Sequence, residues 1–280
     1  MLCSPSLQQY IVSDPVSRDA ALIDTVLDFE PTSGAISTHT ADKILSFIDA
    51  HSLNVKYILE THAHADHLTA AQYFRHKLPG VPVGIGARIS QVQNTFAPVY
   101  GLDSKPDVFN GVFDLLFKDD EEIKLGSLIC RVLHLPGHTP DHIAYLIGDA
   151  VFVGDSIFQP DVGSARADFP GGDPKALYSS MQRLMNLPAT FRLFVGHDYP
   201  VDRAELCVST VAQQRASNKH AKVGVSQEEF VQLRAERDAI LGAPRLLHPS
   251  LQTNILGGRF PRDENGKPSF KLPISTPISL

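Results

Sequence analysis

The chain has 280 residues, 43% of them hydrophobic, and can bury a full core without disulfide or metal support. Its formal net charge of −6 gives no electrostatic reason to expect a nucleic acid or an anionic membrane surface as partner. The three cysteines, Cys3, Cys130 and Cys207, are widely spaced, so they indicate neither a disulfide framework nor a zinc ribbon and favour a reducing compartment.

Two further features favour a cytosolic protein. No apolar run approaches the roughly 20 residues that cross a bilayer. Residues 1–10 contain neither Lys nor Arg, so neither a secretory signal nor an Arg-rich transit peptide is expected.

The first third of the chain has the pattern of alternating strands and helices. The predicted elements are strands at residues 9–13 and 20–26, a helix at 40–53, a strand at 55–59, a helix at 69–77 and a strand at 83–85. This order predicts a sheet covered by helices, in which the loops at the carboxyl ends of the strands carry the functional site.

The middle of the chain changes to short strands separated by glycine-containing turns, which is typical of antiparallel hairpins. These strands are predicted at residues 121–125, 128–133, 142–147 and 150–153, and a helix, a strand and a helix follow at 174–186, 193–195 and 202–217. We expect two packed sheets with helices outside. Residues 1–242 are predicted to form the catalytic domain, and residues 243–280 a mostly looped extension packed on it.

A dense group of potential metal ligands directly follows the strand predicted at residues 55–59. It is the run Thr61-His62-Ala63-His64-Ala65-Asp66-His67. Imidazole nitrogens and a carboxylate at the end of a strand indicate one half of a metal site.

Three further donors each come just after an apolar strand and a glycine, namely His138, Asp155 and His197. The glycine allows a tight turn, and separate strand ends can thus direct their ligands to one point. Alone, each residue has an ordinary role as a loop histidine or a turn-capping aspartate. As an ordered set they indicate a metal site.

These motifs resemble the metallo-β-lactamase superfamily over roughly residues 20–200. The matching residues, in the order of the superfamily, are His62, His64, Asp66, His67, His138, Asp155 and His197. The resemblance implies an α/β fold, the four-layer αββα sandwich.

The ligand set permits two metal arrangements. A binuclear zinc hydrolase would hold one Zn²⁺ with His62, His64 and His138, and the other with Asp66, His67 and His197. Asp155 would bridge the two ions, which generate hydroxide from water. A mononuclear iron enzyme would use only His62, His138 and Asp155, a face that leaves open positions for substrate and dioxygen.

A segment outside the ligands resembles persulfide dioxygenases. Residues 163–173, Gly-Ser-Ala-Arg-Ala-Asp-Phe-Pro-Gly-Gly-Asp, are similar to their Gly-x-x-Arg-x-Asp-Phe signature. Residues 94–98 and 249–255 resemble the β-lactamase-like branch of the same family. Ser164 stands where some members have a cysteine, which removes a thiol but no ligand.

This second resemblance implies one Fe²⁺ per chain, held by His62, His138 and Asp155. The remaining donors would form hydrogen bonds to the ligands, or a second metal site if the centre is binuclear; they are His64, Asp66, His67 and His197. The resemblance also implies homodimers, which are common in the family. Because some family members are mitochondrial, the resemblance allows a mitochondrial location as an alternative to the cytosol.

The same resemblance implies glutathione persulfide as the substrate. This peptide carries two carboxylates, and the planar guanidinium of arginine can bind a carboxylate through two hydrogen bonds. By resemblance, Arg166, Tyr199 and Arg215 are the candidates for substrate binding. Arg166 is favoured by its position after Asp155, whereas Arg215 fits an exposed helix face equally well.

The resemblance to persulfide dioxygenases therefore implies an iron(II)-dependent enzyme that oxidises glutathione persulfide with O2 to sulfite and glutathione. The alternative is a binuclear zinc hydrolase of the glyoxalase II type. A third hypothesis, a metal-binding protein without catalysis, is disfavoured because the full ligand set is present.

Overall fold

The structure is a computed structural model that describes residues 7–104 and 107–274, so Cys3 lies outside the described residues. The strands are β1 (Tyr10–Ser13), β2 (Asp19–Ile23), β3 (Val26–Glu30), β4 (Ala35–Ser37), β5 (Asn54–Leu59), β6 (Leu68–Thr69), β7 (Val83–Gly86), β8 (Leu115–Phe117), β9 (Glu122–Leu125), β10 (Leu128–His134), β11 (Ile143–Ile147), β12 (Ala150–Gly154), β13 (Arg192–Val195) and β14 (Val208–Thr210). The helices are α1 (His39–Ala50), α2 (Ala71–Lys77), α3 (Ile89–Tyr100), α4 (Pro174–Met185), α5 (Val211–Ser217), α6 (Gln227–Asp238) and α7 (Leu247–Asn254).

Two large sheets face each other. The first has the order β1-β2-β5-β7-β8, and all its neighbours are parallel except β1 and β2. The second has the order β14-β13-β12-β11-β10-β9 and is antiparallel except between β12 and β13. Ile23 and Leu59 of the first sheet pack against Val132 and Tyr145 of the second in one apolar core.

Helices cover both outer faces. Ile48 of α1 and Phe74 of α2 pack on the first sheet. Leu177 of α4, Val211 of α5 and Phe230 of α6 pack on the second. The predicted four-layer αββα arrangement is confirmed. No helix in the described ranges is both long enough and apolar enough to cross a membrane.

The strand predicted at residues 20–26 was wrong at its carboxyl end. The chain leaves β2 after Ile23 because Asp24 has a positive φ of 52°, and it then enters β3 in a separate three-stranded sheet. The Asp24 carboxylate accepts hydrogen bonds from the backbone N–H and the hydroxyl of Thr61. The break in the strand therefore places a carboxylate beneath the histidine-rich loop.

The helix predicted at residues 202–217 was wrong in its first half. β14 pairs with β13 there, and α5 begins only after Thr210, which forms a capping box with Gln213. Arg203 precedes this strand and binds the carboxylates of Asp161 and Asp198, an arrangement that holds the segment as a loop.

The carboxyl-terminal segment contains α7, which the sequence did not predict. Leu251 and Ile255 pack with Ile85 of β7 and Val92 of α3. Ala63 of the histidine-rich loop belongs to the same apolar cluster. The segment thus packs beside the loop that carries most of the predicted ligands.

Candidate metal centre

Four strand ends bring the predicted donors together. The histidine-rich loop follows β5, and His138, Asp155 and His197 follow β10, β12 and β13. One ligand atom from each of His62, His138 and Asp155 lies within 4.8 Å of the others. These are the two histidines and the carboxylate expected to hold iron.

A second group lies beside the first. His64, Asp66 and His67 each offer an atom within 4.8 Å of the others. His197 links the two groups, because its Nε2 is 3.2 Å from Oδ2 of Asp66 and 3.8 Å from Oδ2 of Asp155.

The chemistry of these donors fits a bound cation. Buried polar atoms in proteins are nearly always hydrogen-bonded, yet several donors here have no such partner among the described residues. They are Nε2 of His62, Nδ1 of His64, both ring nitrogens of His67, Oδ1 of Asp155 and Nδ1 of His197. A metal ion in contact with them would satisfy lone pairs that are otherwise buried without a partner.

The other ring nitrogens of two predicted ligands are fixed by hydrogen bonds. Nδ1 of His138 donates to the carbonyl of Arg166 at 2.8 Å, and Nδ1 of His62 lies 2.9 Å from Oγ1 of Thr61. Both contacts leave Nε2 as the atom that faces the centre. This orientation of a ligand through its second nitrogen is typical of histidine metal sites.

Burial and neighbouring charges give the histidines of the centre different pKa values. Burial lowers the pKa of His62 well below its ordinary value and that of His67 to about 3. Burial also disfavours the charged form of His197, but Asp155 and Asp66 outweigh it and raise the pKa to about 9. His62 and His67 therefore offer neutral nitrogen lone pairs, the form that binds metals.

His64 lies between two buried carboxylates. Its Nε2 is 3.1 Å from Oδ1 of Asp24 and 3.6 Å from Oε2 of Glu60. Burial opposes the charged imidazole, but the two carboxylates raise the pKa of His64 to about 9. For Glu60, burial disfavours the charged carboxylate and raises its pKa to about 8. The unpartnered Nδ1 of His64 faces the second donor group.

The centre opens into a cavity of about 1230 Å³. Asp66, His138 and Asp155 line the cavity together with the apolar rings of Phe158 and Phe169. Three of the predicted donors, Asp66, His138 and Asp155, are therefore accessible from this cavity.

The model of the metallo-beta-lactamase superfamily matches residues 10–197. The chain belongs to this superfamily. It is 43% identical over 270 residues to "Glyoxylase B2" of Dictyostelium discoideum, with 95% of this chain and 92% of that protein covered. It is 46% identical over 269 residues to the "Beta-lactamase hydrolase-like protein" of Agrobacterium fabrum; that alignment covers 95% of this chain but only 62% of the longer relative.

The chain is also similar to proteins that carry the name ETHE1. The chain is 30% identical over 227 residues to the human mitochondrial persulfide dioxygenase ETHE1, with 80% of this chain and 74% of that protein covered. The crystal structure of ETHE1 from Myxococcus xanthus superposes with a TM-score of 0.72 at 28% identity. That superposition covers 91% of this chain and 95% of the other.

The three predicted substrate-binding residues lie in different surroundings. Arg166 lines the cavity, but its guanidinium binds both carboxylate oxygens of Asp168, at 2.5 and 2.6 Å, and the carbonyl of Gly242. Tyr199 also lines the cavity, half exposed, and its ring stacks on His197. Arg215 is exposed on α5 and is not among the described residues that line the cavity.

Sequence reasoning missed His142, a fully buried member of the site. Its ring stacks on His62 with centroids 4.6 Å apart, and its Nε2 accepts the backbone N–H of Asp155. Because Nε2 accepts, Nδ1 carries the proton and donates to the hydroxyl of Ser156 at 3.1 Å. The signal was its position four residues after His138, in the same polar turn.

Sequence reasoning also missed Asn254, at the end of α7. Its amide nitrogen donates to the carbonyls of His64 and His67, both at 2.7 Å, and its oxygen accepts the backbone N–H of Thr69 at 2.9 Å. Asn254 thus holds the histidine-rich loop from a position about 190 residues away in the chain. The residue lies within the tail motif at 249–255, but no local pattern indicates this role.

Proposed function

We propose that the chain is an iron(II)-dependent persulfide dioxygenase. The reaction converts glutathione persulfide, O2 and water to glutathione, sulfite and two protons. The terminal sulfur is oxidised, dioxygen is reduced, and the sulfur–sulfur bond breaks. Similarity to the human enzyme and to the Myxococcus structure supports this proposal.

The observation that carries the proposal is the group His62, His138 and Asp155. Two imidazole nitrogens and one carboxylate oxygen lie within 4.8 Å of one another at the edge of a large cavity. These three residues would hold Fe²⁺, which would supply the redox chemistry between the persulfide sulfur and dioxygen. One Fe²⁺ per chain fits this group.

The surrounding residues have distinct roles in the proposal. The Arg166 carbonyl orients His138, and His142 orients both His62 and Asp155. Phe158 and Phe169 provide an apolar wall that limits water around the reacting sulfur.

Arg166 and Tyr199 are proposed to contact the peptide part of the substrate. Arg166 uses three of its five N–H groups within the protein, so two remain for a carboxylate. The Tyr199 hydroxyl can donate to a peptide carbonyl at the mouth of the cavity. Arg215 is left out of the proposed pocket because it lies outside the cavity lining.

A second candidate function is a binuclear zinc hydrolase of the glyoxalase II type. The convergence of His64, Asp66 and His67 favours it, since these donors would hold a second ion. This grouping differs from the zinc scheme predicted from the sequence, which placed His64 with His62 and His138. The name of the Dictyostelium relative points the same way. In this case Asp155, which lies near both His138 and His197, would bridge the ions.

Ligand substitution separates the two candidates. In the iron proposal, His138→Ala removes bound metal and oxygen uptake, whereas His67→Ala retains about one equivalent of iron. The measurement is metal content by elemental analysis of the purified variants, with persulfide-dependent oxygen uptake alongside. Loss of about one of two zinc equivalents in His67→Ala, with thioester cleavage by the wild type, would favour the hydrolase.

A further inference from the structure

Residues 164–168 pass along the cavity beside the metal centre without helix or strand structure. Within the described ranges, the backbone of this segment forms no hydrogen bond to other backbone groups. Its backbone groups bond instead to four side chains from other parts of the chain. These side chains are His138, His220, Arg234 and Asp238. The conformation of the segment therefore depends on side-chain contacts rather than on a strand ladder.

One of these bonds orients a proposed metal ligand. Nδ1 of His138 donates to the Arg166 carbonyl at 2.8 Å. A shift of this carbonyl would turn the imidazole away from the other ligands, because the second ring nitrogen sets the orientation of a metal-binding histidine. His138 is a ligand in both the iron and the zinc arrangement. The position of the Arg166 backbone therefore matters in either case.

Helix α6 contacts the backbone on both sides of Arg166. The Ala167 N–H donates to Oδ2 of Asp238 at 3.0 Å, and Nη1 of Arg234 donates to the Ser164 carbonyl at 3.3 Å. The Arg234 guanidinium also binds both oxygens of Asp238, one turn later in the helix. The two side chains are only 3% and 8% exposed. One buried ion pair thus bonds to the segment just before and just after the Arg166 carbonyl.

The burial of this ion pair has a reason other than stability. Desolvation of two charges costs free energy that their attraction offsets only partly, so apolar side chains of similar volume often stabilise a fold equally well. Apolar side chains would not supply the two hydrogen bonds to the segment. Arg234 provides the donor for Ser164, and Asp238 provides the acceptor for Ala167. The pair is therefore suited to fixing residues 164–168 in one conformation.

We propose that Arg234 and Asp238 are positioning residues for the metal ligand His138. They fix the backbone around Arg166, and the Arg166 carbonyl in turn fixes the imidazole. The inference rests on His138 as a metal ligand. It does not depend on which metal is bound or which reaction follows.

The test replaces the ion pair by apolar side chains in the full chain. The double variant is Arg234→Met/Asp238→Leu. The matched control is Gln232→Met/Glu236→Leu, which makes a similar change at an exposed pair with the same spacing on α6. Competition with a chromophoric chelator measures Co²⁺ affinity. Urea denaturation of the metal-free proteins measures their free energy of unfolding.

We expect the double variant to bind Co²⁺ about tenfold more weakly than the wild type, the lower end of the effect for residues that orient metal ligands. Its free energy of unfolding should match that of the wild type, because apolar side chains replace a buried ion pair. The control should leave both quantities unchanged. Wild-type Co²⁺ affinity in the folded double variant would overturn the proposal.

Two single variants decide the question if the double variant is less stable than the control. Asp238→Asn and Asp238→Ala both remove the charge, but only asparagine keeps an oxygen that can accept the Ala167 N–H. We expect Asp238→Asn to bind Co²⁺ within about threefold of the wild type, and Asp238→Ala about tenfold more weakly. Equal affinities of the two single variants would overturn the positioning role. These measurements use neither persulfide nor oxygen, so their result is independent of the test of the proposed function.

Discussion

The backbone N–H of Asp155 donates a hydrogen bond to Nε2 of His142 over 3.0 Å. The same imidazole stacks on His62, so one buried residue contacts two of the three proposed iron ligands from behind. His142 is a positioning residue, because its own nitrogens are occupied by Asp155 and Ser156.

Replacement of this ring should weaken metal binding. His142→Phe keeps an aromatic ring beside His62 but leaves the N–H of Asp155 buried without an acceptor. We expect metal affinity to fall by about tenfold or more, as with other residues that orient metal ligands. Competition with a chromophoric chelator measures the affinity. Ser156→Ala, which removes only the hydroxyl partner, is the control and should change it less than about threefold; an unchanged affinity in His142→Phe contradicts the positioning role.

Asn254 should couple the tail to the metal centre. Asn254→Ala removes three hydrogen bonds to the backbone of the histidine-rich loop and its neighbour Thr69. We expect a loss of about 2–4 kcal/mol in the free energy of unfolding, since buried carbonyls lose their donors. Urea denaturation of the metal-free proteins measures it. Asn265→Ala, at an exposed position, should be neutral, and a neutral Asn254→Ala would show that the tail does not stabilise the loop.

Two variants can distinguish substrate binding by Arg166 from its ion pair with Asp168. In the proposed pocket, Arg166 contacts both the substrate and Asp168. Arg166→Ala should then raise KM for glutathione persulfide by about tenfold. Asp168→Ala should raise it by less than about threefold. Initial-rate measurements of oxygen uptake give both values. Equal effects of the two substitutions would mean that Arg166 acts only through its ion pair.

His220 should make the protein sensitive to acid. Its Nδ1 accepts the backbone N–H of Ser164, and burial, followed by the charge of Arg234, lowers its pKa to about 3. An unfolded chain has the ordinary histidine pKa of 6.5 and therefore binds more protons between pH 6.5 and 3. The stability that neutral His220 contributes is present above pH 6.5 and is lost as the pH falls through that window.

His220→Asn tests this acid sensitivity, because the asparagine oxygen can still accept the Ser164 N–H without titrating. Between pH 6.5 and 4.5 the wild type should lose up to about 1.4 kcal/mol per pH unit more than the variant in free energy of unfolding. Denaturant titrations at several pH values give the difference. Parallel pH profiles for the two proteins would contradict the assignment.

The predicted part of the centre depends on local signals. Each donor directly follows an apolar strand and lies in a glycine-containing or histidine-rich turn, so its position at a strand end can be predicted from neighbouring residues. The two sheets and most of their strands follow from the same alternation of apolar runs and turns. The family resemblance supplied the order of the layers, and the superfamily match confirms it.

The remaining parts depend on contacts that neighbouring residues do not encode. Asp24 ends a strand because its carboxylate binds Thr61, 37 residues later. Helix α5 begins late because Arg203 and β13 hold the preceding segment. Arg166, predicted to bind substrate, is paired with Asp168 two residues away, and only the side-chain conformation reveals the pairing.

The most direct test of the central claim is the stoichiometry of oxygen uptake by the iron-loaded protein with glutathione persulfide. The proposed dioxygenase consumes one O2 and forms one sulfite for each persulfide, and the His138→Ala variant does neither. Sulfite is quantified in the same samples in which an oxygen electrode records uptake. Cleavage of a glutathione thioester by a protein with two zinc ions, without persulfide-dependent oxygen uptake, would contradict the claim.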